Sequence, residues 1–157
     1  MNAPDTLDAL REAARRGHLF SHEELHAWGD ALGRVLPAGT VLALHGELGA
    51  GKTTLVRALA DGLGVYAPDE VASPTYAIVH EYATASGVVL HADLYRLRDP
   101  VELDQLGWEE ALATARAAVV EWPERAPAAV PADAWHLHLA HVPGRPDVRT
   151  LRLASTD

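Results

Sequence analysis

The segment spanning residues 46–53 constrains the possible folds of this chain more than any other part of the sequence. It reads Gly-Glu-Leu-Gly-Ala-Gly-Lys-Thr and fits the pattern G-x-x-x-x-G-K-[ST] of a phosphate-binding loop. The apolar run 40–45 before it is typical of a strand buried on both faces. Residues 53–63 after it show helical periodicity. Strand, glycine loop and helix in this order are the context in which the motif holds phosphate, so we predict that arrangement here.

Lys52 is the only lysine of the chain, whereas twelve arginines carry the remaining positive charge. A compact ammonium on a flexible stem suits the outer phosphates of a nucleotide, so we expect Lys52 to bridge them. The hydroxyl of Thr53 is then placed to bind Mg²⁺. The glycines let backbone amides converge on phosphate at the start of a helix. The predicted nucleotide-binding residues of this segment are Gly46, Glu47, Leu48, Gly49, Ala50, Gly51, Lys52, Thr53 and Thr54.

Composition and charge exclude several classes of protein. The 157 residues, 48% of them hydrophobic, suffice for the core of a single domain. A net charge of -9 disfavours a basic track for nucleic acid, so we expect no stable direct nucleic-acid binding. Without cysteine there is no disulfide, thiolate nucleophile or zinc–cysteine site. Neither a signal peptide nor a membrane-spanning apolar run is recognisable, which favours a cytoplasmic protein with no membrane partner.

The rest of the chain alternates between helical and strand patterns. A helix is predicted over 5–16, within an N-terminal extension (1–19) that we expect to be mobile, ahead of a single domain over 20–157. Ser21 and Glu24 form the pattern of a capping box, which predicts that a helix begins there. The further predicted elements are strands over 77–82, 88–92, 117–120, 135–142 and 148–153, a hairpin loop over 143–147, and a helix from Val101 interrupted at Gly107. Together they predict an α/β fold whose sheet is largely parallel in its centre, carries antiparallel additions and is flanked by helices.

Two acidic residues follow predicted buried strands and are candidates for a magnesium ligand. Asp93 comes after the strand over 88–92, and Glu121 comes directly after the strand over 117–120. Ligands of an open α/β sheet bind beyond the carboxyl ends of its strands, so both acids are placed near the predicted phosphate site. Spacing does not choose between them, and the alternative for each is a solvated acid at a strand end.

Several other side chains have both a functional and a structural interpretation. Thr75 lies in the loop after the phosphate-loop helix, where a hydroxyl can reach the γ-phosphate or its metal. The alternative is an exposed hydroxyl in a proline turn. Trp122 either belongs to the core or shields the site from water. His136 and His138 share one strand face, whereas His141 has the opposite parity and the chain has no cysteine to join them, which favours a solvated strand surface over a metal site.

The identity of the nucleotide follows by elimination. Guanine-specific GTPases read the base with an Asn/Thr-Lys-x-Asp motif, and the only lysine of this chain lies in the phosphate loop. The absence of a second lysine therefore favours ATP over GTP. The adenine contacts are left unassigned, and His22, at the start of the helix that follows Ser21, is the candidate.

Four blocks in this order resemble the TsaE family of small bacterial P-loop ATPases. They are residues 46–54, 73–76 (Ser-Pro-Thr-Tyr), 91–97 (His-Ala-Asp-Leu-Tyr-Arg-Leu) and 121–124 (Glu-Trp-Pro-Glu). The resemblance implies a P-loop NTPase fold that binds ATP and Mg²⁺. It also implies action with TsaB and TsaD, the enzyme pair that transfers threonylcarbamoyl to adenosine 37 of tRNA.

The resemblance also assigns roles that spacing leaves open. The Glu-Trp-Pro block of the family supplies the magnesium-ligating acid, which makes Glu121 the expected ligand beside Thr53. Asp93 and Thr75 match family positions near the γ-phosphate. With Lys52 and Glu121 they are the catalytic candidates that the resemblance implies.

Trp122 matches the family tryptophan and is expected at the nucleotide site. Two departures are mild: Ala77 stands where a threonine is common in the family, and Ala92 where an aromatic residue is common. The first twenty residues and those after Trp135 match no family motif.

Three functions are compatible with these residues. The first is an ATPase that drives or resets a tRNA-modification complex, by attack of water on the γ-phosphoryl group. The second is an assembly factor in which bound ATP holds a loop for a partner and hydrolysis is incidental. The third, a small-molecule kinase, is disfavoured because the stretch after the phosphate-loop helix is acidic and poor in arginine.

Overall fold

The computed structural model describes residues 2–66 and 78–154, which form a seven-stranded sheet with helices on both faces. The helices are α1 (Ala3–Arg15), α2 (His22–Val35), α3 (Lys52–Leu63), α4 (Val101–Gln105) and α5 (Trp108–Thr114). The strands are β1 (His18–Ser21), β2 (Thr40–His45), β3 (Val79–Thr84), β4 (Gly87–Asp93), β5 (Ala117–Glu121), β6 (Trp135–Val142) and β7 (Arg145–Leu153). Within these ranges no helix is both long and apolar enough to cross a membrane.

The sheet is parallel in its centre and antiparallel at both edges. Its strand order is β1-β7-β6-β2-β5-β4-β3. β2 pairs in parallel with β5 and β6, and β5 pairs in parallel with β4. β3 is antiparallel to β4 at one edge, and β7 is antiparallel to β6 and β1 at the other. This topology confirms the predicted α/β sheet with its antiparallel additions.

Each face of the sheet buries its own apolar core. Val41 and Leu42 are neighbours on β2 and point to opposite faces, yet both are buried because helices cover the two faces. Leu42 belongs to the cluster beneath α2 and α3, which includes Leu32 and Leu59. Val41 belongs to the cluster on the other face, which includes Trp108 of α5. Burial on both faces holds β2 in place, and with it the loop that follows its last residue.

Two predicted helix boundaries are confirmed. Oγ of Ser21 accepts a hydrogen bond from the Glu24 amide at 3.1 Å, and the Glu24 carboxylate accepts one from the Ser21 amide at 3.0 Å. Gly107 separates α4 from α5 with a φ of 71°, a left-handed angle that glycine adopts without a steric cost. The interrupted helix predicted from Val101 is therefore two short helices.

The N-terminal residues contain a strand that the sequence did not predict. β1 pairs antiparallel with β7, with His18 opposite Leu151. A strand of four residues is too short to display alternation, so its sequence carries no strand signal. α1 lies against α2, where Nε1 of Trp28 donates a hydrogen bond to the Leu10 carbonyl oxygen at 3.3 Å. The domain boundary at residue 20 and the mobility of the N-terminal extension stay predictions.

The C-terminal hairpin is tighter than predicted. Its loop was expected over 143–147, whereas β7 already begins at Arg145. Pro143 and Gly144 form the turn, and Gly144 has a φ of 75°, which glycine adopts without a steric cost. The strand predicted over 77–82 is also displaced, since β3 runs over Val79–Thr84 and residue 77 lies outside the described ranges.

Glycines let α2 and α3 pack backbone against backbone. A methyl group built on Gly62 would lie 2.1 Å from the carbonyl oxygen of Asp30, and one on Gly33 would lie 2.6 Å from that of Leu59. Neither glycine has a positive φ, so glycine is required at these positions by the close contact and not by the backbone conformation. This contact determines how near α3, the helix that follows the phosphate loop, lies to α2.

We expect Gly62→Ala to lower the free energy of unfolding by about 2–3 kcal/mol, because the added methyl group must displace backbone. In an exposed helix the same change would raise stability by about 1 kcal/mol, so the sign of the effect tests the contact. Urea unfolding followed by circular dichroism measures it. Ala27→Gly, on the exposed side of α2, is the control and should cost about 1 kcal/mol. A stabilising Gly62→Ala would contradict the close packing.

Candidate nucleotide-binding site

The predicted phosphate loop connects the central strand to the first turn of α3. β2 ends at His45, and α3 begins at Lys52. Gly49 and Gly51 have φ angles of 78° and 104°, in the left-handed region that favours glycine. No side chain of the described residues caps α3, and the amides of its first turn have no acceptor within the helix. A helix start of this kind, at the positive end of the helix dipole, is suited to bind phosphate.

Lys52 is a buried cation, with 5% of its surface exposed. Its ammonium donates a hydrogen bond to the carbonyl oxygen of Gly46, at the other end of the loop. The same nitrogen lies 3.7 Å from the centroid of the Trp122 ring, which is a cation–π contact. Burial lowers the pKa of Lys52, and the nearby carboxylates of Glu121 and Asp93 oppose that shift. The structure thus brings the loop lysine together with both candidate acids.

Asp93 and Glu121 lie side by side at the carboxyl ends of two neighbouring parallel strands. They are register partners, Asp93 on β4 and Glu121 on β5. Glu121 is buried, and its Oε2 lies 2.6 Å from Nε2 of the equally buried His91. Asp93 accepts a hydrogen bond from the Tyr95 amide at 3.1 Å. Burial raises the pKa of Asp93 although the Tyr95 amide opposes the shift, and the charge of Glu121 raises it further.

These residues fit a magnesium ion. Mg²⁺ prefers oxygen ligands, and in nucleotide sites it takes one or two from carboxylates and the rest from phosphates and water. His91 holds Oε2 of Glu121, so Oε1 is the oxygen that would face a metal. Thr53 in the first turn of α3 adds a hydroxyl. Among the described residues no cluster of three or more His, Cys, Asp or Glu side chains could bind a metal by itself.

Trp122 has a strained backbone next to Lys52. Its φ of 56° and ψ of 50° are left-handed, at a cost of roughly 1–2 kcal/mol for a residue with a side chain. No other non-glycine residue in the described ranges has a positive φ. The turn brings the indole over the ammonium and places its ring centroid 4.9 Å from that of Tyr95. The ring also packs on the apolar cluster beneath α4 and α5, so it contacts both the core and the site.

Three histidines pack together beside the start of the phosphate loop. Nε2 of His45 lies 2.8 Å from Nδ1 of His136, and the ring of His45 stacks on that of His138 with centroids 4.3 Å apart. Burial and the two neighbouring histidines lower the pKa of His45 to about 4, although Glu124, 3.9 Å from its Nδ1, acts in the opposite direction. The strand face predicted to be solvated is only partly so, because β6 pairs with β2 and half-buries the rings of His136 and His138.

The other predicted site residues lie at the start of helices or outside the described ranges. Thr54 follows Thr53 in the first turn of α3. His22 is the exposed first residue of α2, and Leu25 in the same turn reaches within 3.3 Å of a methyl group built on Gly51. α2 therefore begins beside the loop. Thr75 lies outside the described residues.

A family model and two named relatives indicate the family of this chain. The family model described as "Threonylcarbamoyl adenosine biosynthesis protein TsaE" matches residues 19–148. The chain belongs to the TsaE family. Two relatives are called tRNA threonylcarbamoyladenosine biosynthesis protein TsaE. The one from Synechocystis is 43% identical over 104 residues, which is 64% of this chain and 64% of that protein. The one from Aquifex aeolicus is 42% identical over 107 residues, 68% of this chain and 75% of that protein.

A solved structure has the same fold as this TsaE-family chain. YdiB from Bacillus subtilis matches it with a TM-score of 0.70, over 90% of this chain and 85% of that chain, at 24% sequence identity. At this identity the likeness bears on the fold alone. Together with the parallel sheet and the glycine loop before α3, it confirms the P-loop fold predicted from the sequence.

Three residues that sequence reasoning left without a role also lie at the site of this TsaE-family chain. His91 contacts Glu121, and its only sequence signal is its place at the head of the block 91–97. Nε2 of His141 lies 3.3 Å from the Leu48 carbonyl oxygen, and Nη2 of Arg149 donates to the Gly49 carbonyl at 3.3 Å. These contacts join residues 93 and 100 positions apart, so no local pattern could reveal them.

We expect the protein to lose stability through His45 as the pH falls. Its pKa is about 4 when folded against 6.5 when unfolded, so the unfolded chain binds more protons between these values. The stabilisation is complete above pH 6.5 and is lost towards pH 4, by about 2 kcal/mol after allowance for partial exposure. His45→Gln removes the titration and keeps a hydrogen-bonding side chain, so its stability should vary less with pH.

Urea unfolding at about pH 7 and about pH 4.5 measures this difference. His22→Gln, which changes an exposed histidine, is the matched control and should keep the wild-type pH dependence. If wild type and His45→Gln lost the same free energy of unfolding over this range, the assignment to His45 would be wrong.

Proposed function

We propose that this chain hydrolyses ATP as a component of tRNA threonylcarbamoyladenosine biosynthesis, acting with TsaB and TsaD. The observation that carries the proposal is the convergence of Lys52, Asp93 and Glu121 beside a glycine loop that opens a helix. A phosphate cradle, a cation and carboxylates for a metal are what phosphoryl transfer requires. Membership of the TsaE family supports the pathway.

In this proposal the phosphates of ATP lie along residues 46–53. Amides of the loop and of the first turn of α3 donate to phosphate oxygens. Lys52 exchanges its hydrogen bond to the Gly46 carbonyl for the outer phosphates, which attract an ammonium more strongly than a neutral carbonyl does. The Trp122 ring, already against the ammonium, limits the access of water on that side.

Thr53 and Glu121 are the proposed magnesium ligands. Bound Mg²⁺ supplies positive charge at the outer phosphates and so lowers their repulsion of an attacking water. His91 keeps the Glu121 carboxylate in one orientation because it holds Oε2 at 2.6 Å. The chain's own contribution is therefore a carboxylate already held by a buried partner before the metal binds.

Asp93 is the proposed residue that orients the attacking water. Because its pKa is raised, its carboxylate is a better proton acceptor than that of an ordinary aspartate. Thr75, which matches the family motif, is the second candidate for this role. Negative charge that develops on the transferred group is stabilised by Lys52 and the loop amides.

Partner proteins, rather than this chain, hold the tRNA in this proposal. The chain has a net charge of -9, which repels a polyanion. The names of the Synechocystis and Aquifex aeolicus relatives place those proteins in tRNA threonylcarbamoyladenosine biosynthesis. TsaB and TsaD are the partners expected from the family resemblance.

Phosphate release measured with TsaB, TsaD and tRNA tests the site. We expect Lys52→Ala and Glu121→Gln each to lower kcat by about 100-fold or more. Lys52→Ala removes a positive charge that stabilises the transition state, and Glu121→Gln weakens the proposed magnesium site. Glu110→Gln, in the exposed first turn of α5, is the control and should keep the wild-type rate. Undiminished release by either site variant would remove that residue from the proposed mechanism.

A non-hydrolysable ATP analogue separates hydrolysis from nucleotide binding. We expect the analogue to support at most about one round of tRNA modification per complex, because the reset requires loss of the γ-phosphate. Mass spectrometry of digested tRNA counts the threonylcarbamoyladenosine formed. Many rounds with the analogue would instead establish the assembly-factor alternative, in which bound ATP orders the contacts with the partners.

A further inference from the structure

The phosphate loop is supported from behind by the hairpin of β6 and β7. We propose, on the basis of the nucleotide-binding role proposed for this loop, that His141 and Arg149 are positioning residues for ATP. They hold carbonyl groups of the loop so that the loop keeps the shape in which its amides face phosphate. Neither residue belongs to the four blocks that resemble the family.

The hairpin meets the start of the loop backbone to backbone. A methyl group built on Gly46 would lie 2.6 Å from the carbonyl oxygen of Leu139 on β6, so only glycine permits this approach. β6 also pairs with β2, with Leu137 opposite Leu44. The hairpin is therefore fixed relative to the residue where the loop begins.

Arg149 joins three backbone carbonyls. Nη1 donates to the carbonyl oxygens of Pro146 at 2.8 Å and Val148 at 2.9 Å, both on its own strand. Nη2 donates to the Gly49 carbonyl in the loop at 3.3 Å. Because the guanidinium is planar and rigid, the two contacts that Nη1 makes on β7 direct Nη2 at the loop. The stem adds a packing contact, since Cγ lies 3.8 Å from a methyl group built on Gly51.

His141 makes the neighbouring contact. Its Nε2 lies 3.3 Å from the carbonyl oxygen of Leu48, and a hydrogen bond there needs the tautomer that carries hydrogen on Nε2. His141 and Arg149 are register partners on β6 and β7, so their side chains leave the hairpin on the same face. Together they contact two successive carbonyls of the loop, those of Leu48 and Gly49.

Holding these carbonyls determines the orientation of the adjacent amides. In a trans peptide the C=O and the following N–H point in opposite directions. With the Leu48 carbonyl directed at the hairpin, the Gly49 amide is directed to the other side of the loop, where phosphate binds. The Ala50 amide closes a turn on the Glu47 carbonyl at 3.1 Å, and the bond from Arg149 to the Gly49 carbonyl holds that turn.

β7 itself offers a matched control. Arg152 lies on the same strand as Arg149 at a position of opposite parity, so its exposed side chain points to the other face of the sheet. Changing either arginine to methionine removes the same charge and keeps an unbranched stem. The two variants therefore differ in the contact with the loop.

The test is the dissociation constant of ATP and of ADP, measured by calorimetry on the purified chain. We expect Arg149→Met to raise both constants about tenfold and His141→Ala to raise them about threefold. Arg149→Lys, which can reach one carbonyl but cannot bridge several, should lie between wild type and Arg149→Met. Arg152→Met should stay within about twofold of wild type. In the complete system with TsaB, TsaD and tRNA, KM for ATP should rise for Arg149→Met while kcat stays within about twofold.

A merely structural role gives a different result. Arg149→Met would then lower the melting temperature but leave nucleotide affinity and KM of the folded protein unchanged, and that outcome overturns the inference. If Arg149→Met does not fold, His141→Ala tests the inference instead, because His141 is exposed. A wild-type nucleotide affinity of the His141→Ala variant also overturns the inference. If the wild-type protein binds ATP but releases no phosphate, the proposed ATPase activity is wrong. The ATP and ADP affinities of the variants still test the role of His141 and Arg149. Wild type that binds neither nucleotide overturns both proposals.

Discussion

The parallel pairing of β2 with β5 on one side and β6 on the other is the interaction on which the site depends. It brings the carboxyl ends of these strands to one edge of the sheet, so the loop after His45 lies between Glu121 and the hairpin at Leu139. A slip of one residue between β2 and β5 would turn Val41 and Leu42 to the wrong faces relative to β5 and shift Glu121 relative to the loop. Since both faces of β2 are buried, such a slip would cost apolar contacts on two sides at once.

The buried ammonium of Lys52 offsets part of the negative charge at this edge. Two adjacent carboxylates on neighbouring strands repel each other, and in a chain of net charge -9 the only lysine lies beside them. Lys52 is held there by the Gly46 carbonyl and the Trp122 ring. The strained backbone of Trp122 places the indole against the ammonium. In the proposed reaction Lys52 turns to the phosphates, and a metal held by Thr53 and Glu121 would supply positive charge beside the carboxylates.

Features set by neighbouring residues were predictable from the sequence, and features set by strand pairing were not. The glycine loop, the cap at Ser21 and the break at Gly107 each depend on a few consecutive residues whose backbone or side-chain chemistry is specific. The contact of Arg149 with the loop depends on which strands are neighbours, and the partner that holds Glu121 in place, His91, lies 30 positions away on another strand. Sequence patterns indicate the helices, the strands and the chemical groups, whereas the pairing of strands that are distant in sequence determines which of those groups come into contact.

The strand order also affects how the chain folds as it is synthesised. The phosphate loop and α3 leave the ribosome well before β6 and β7, which contact the loop across 93 to 100 positions of sequence. Until β6 arrives, one edge of β2 has no strand to pair with, and an apolar strand with an open edge is a template for association with other chains. Closing so long a loop is slow compared with forming a helix. Pairing of β6 is therefore the step that removes the exposed edge, and a delay in that step lengthens the time during which nascent chains can aggregate.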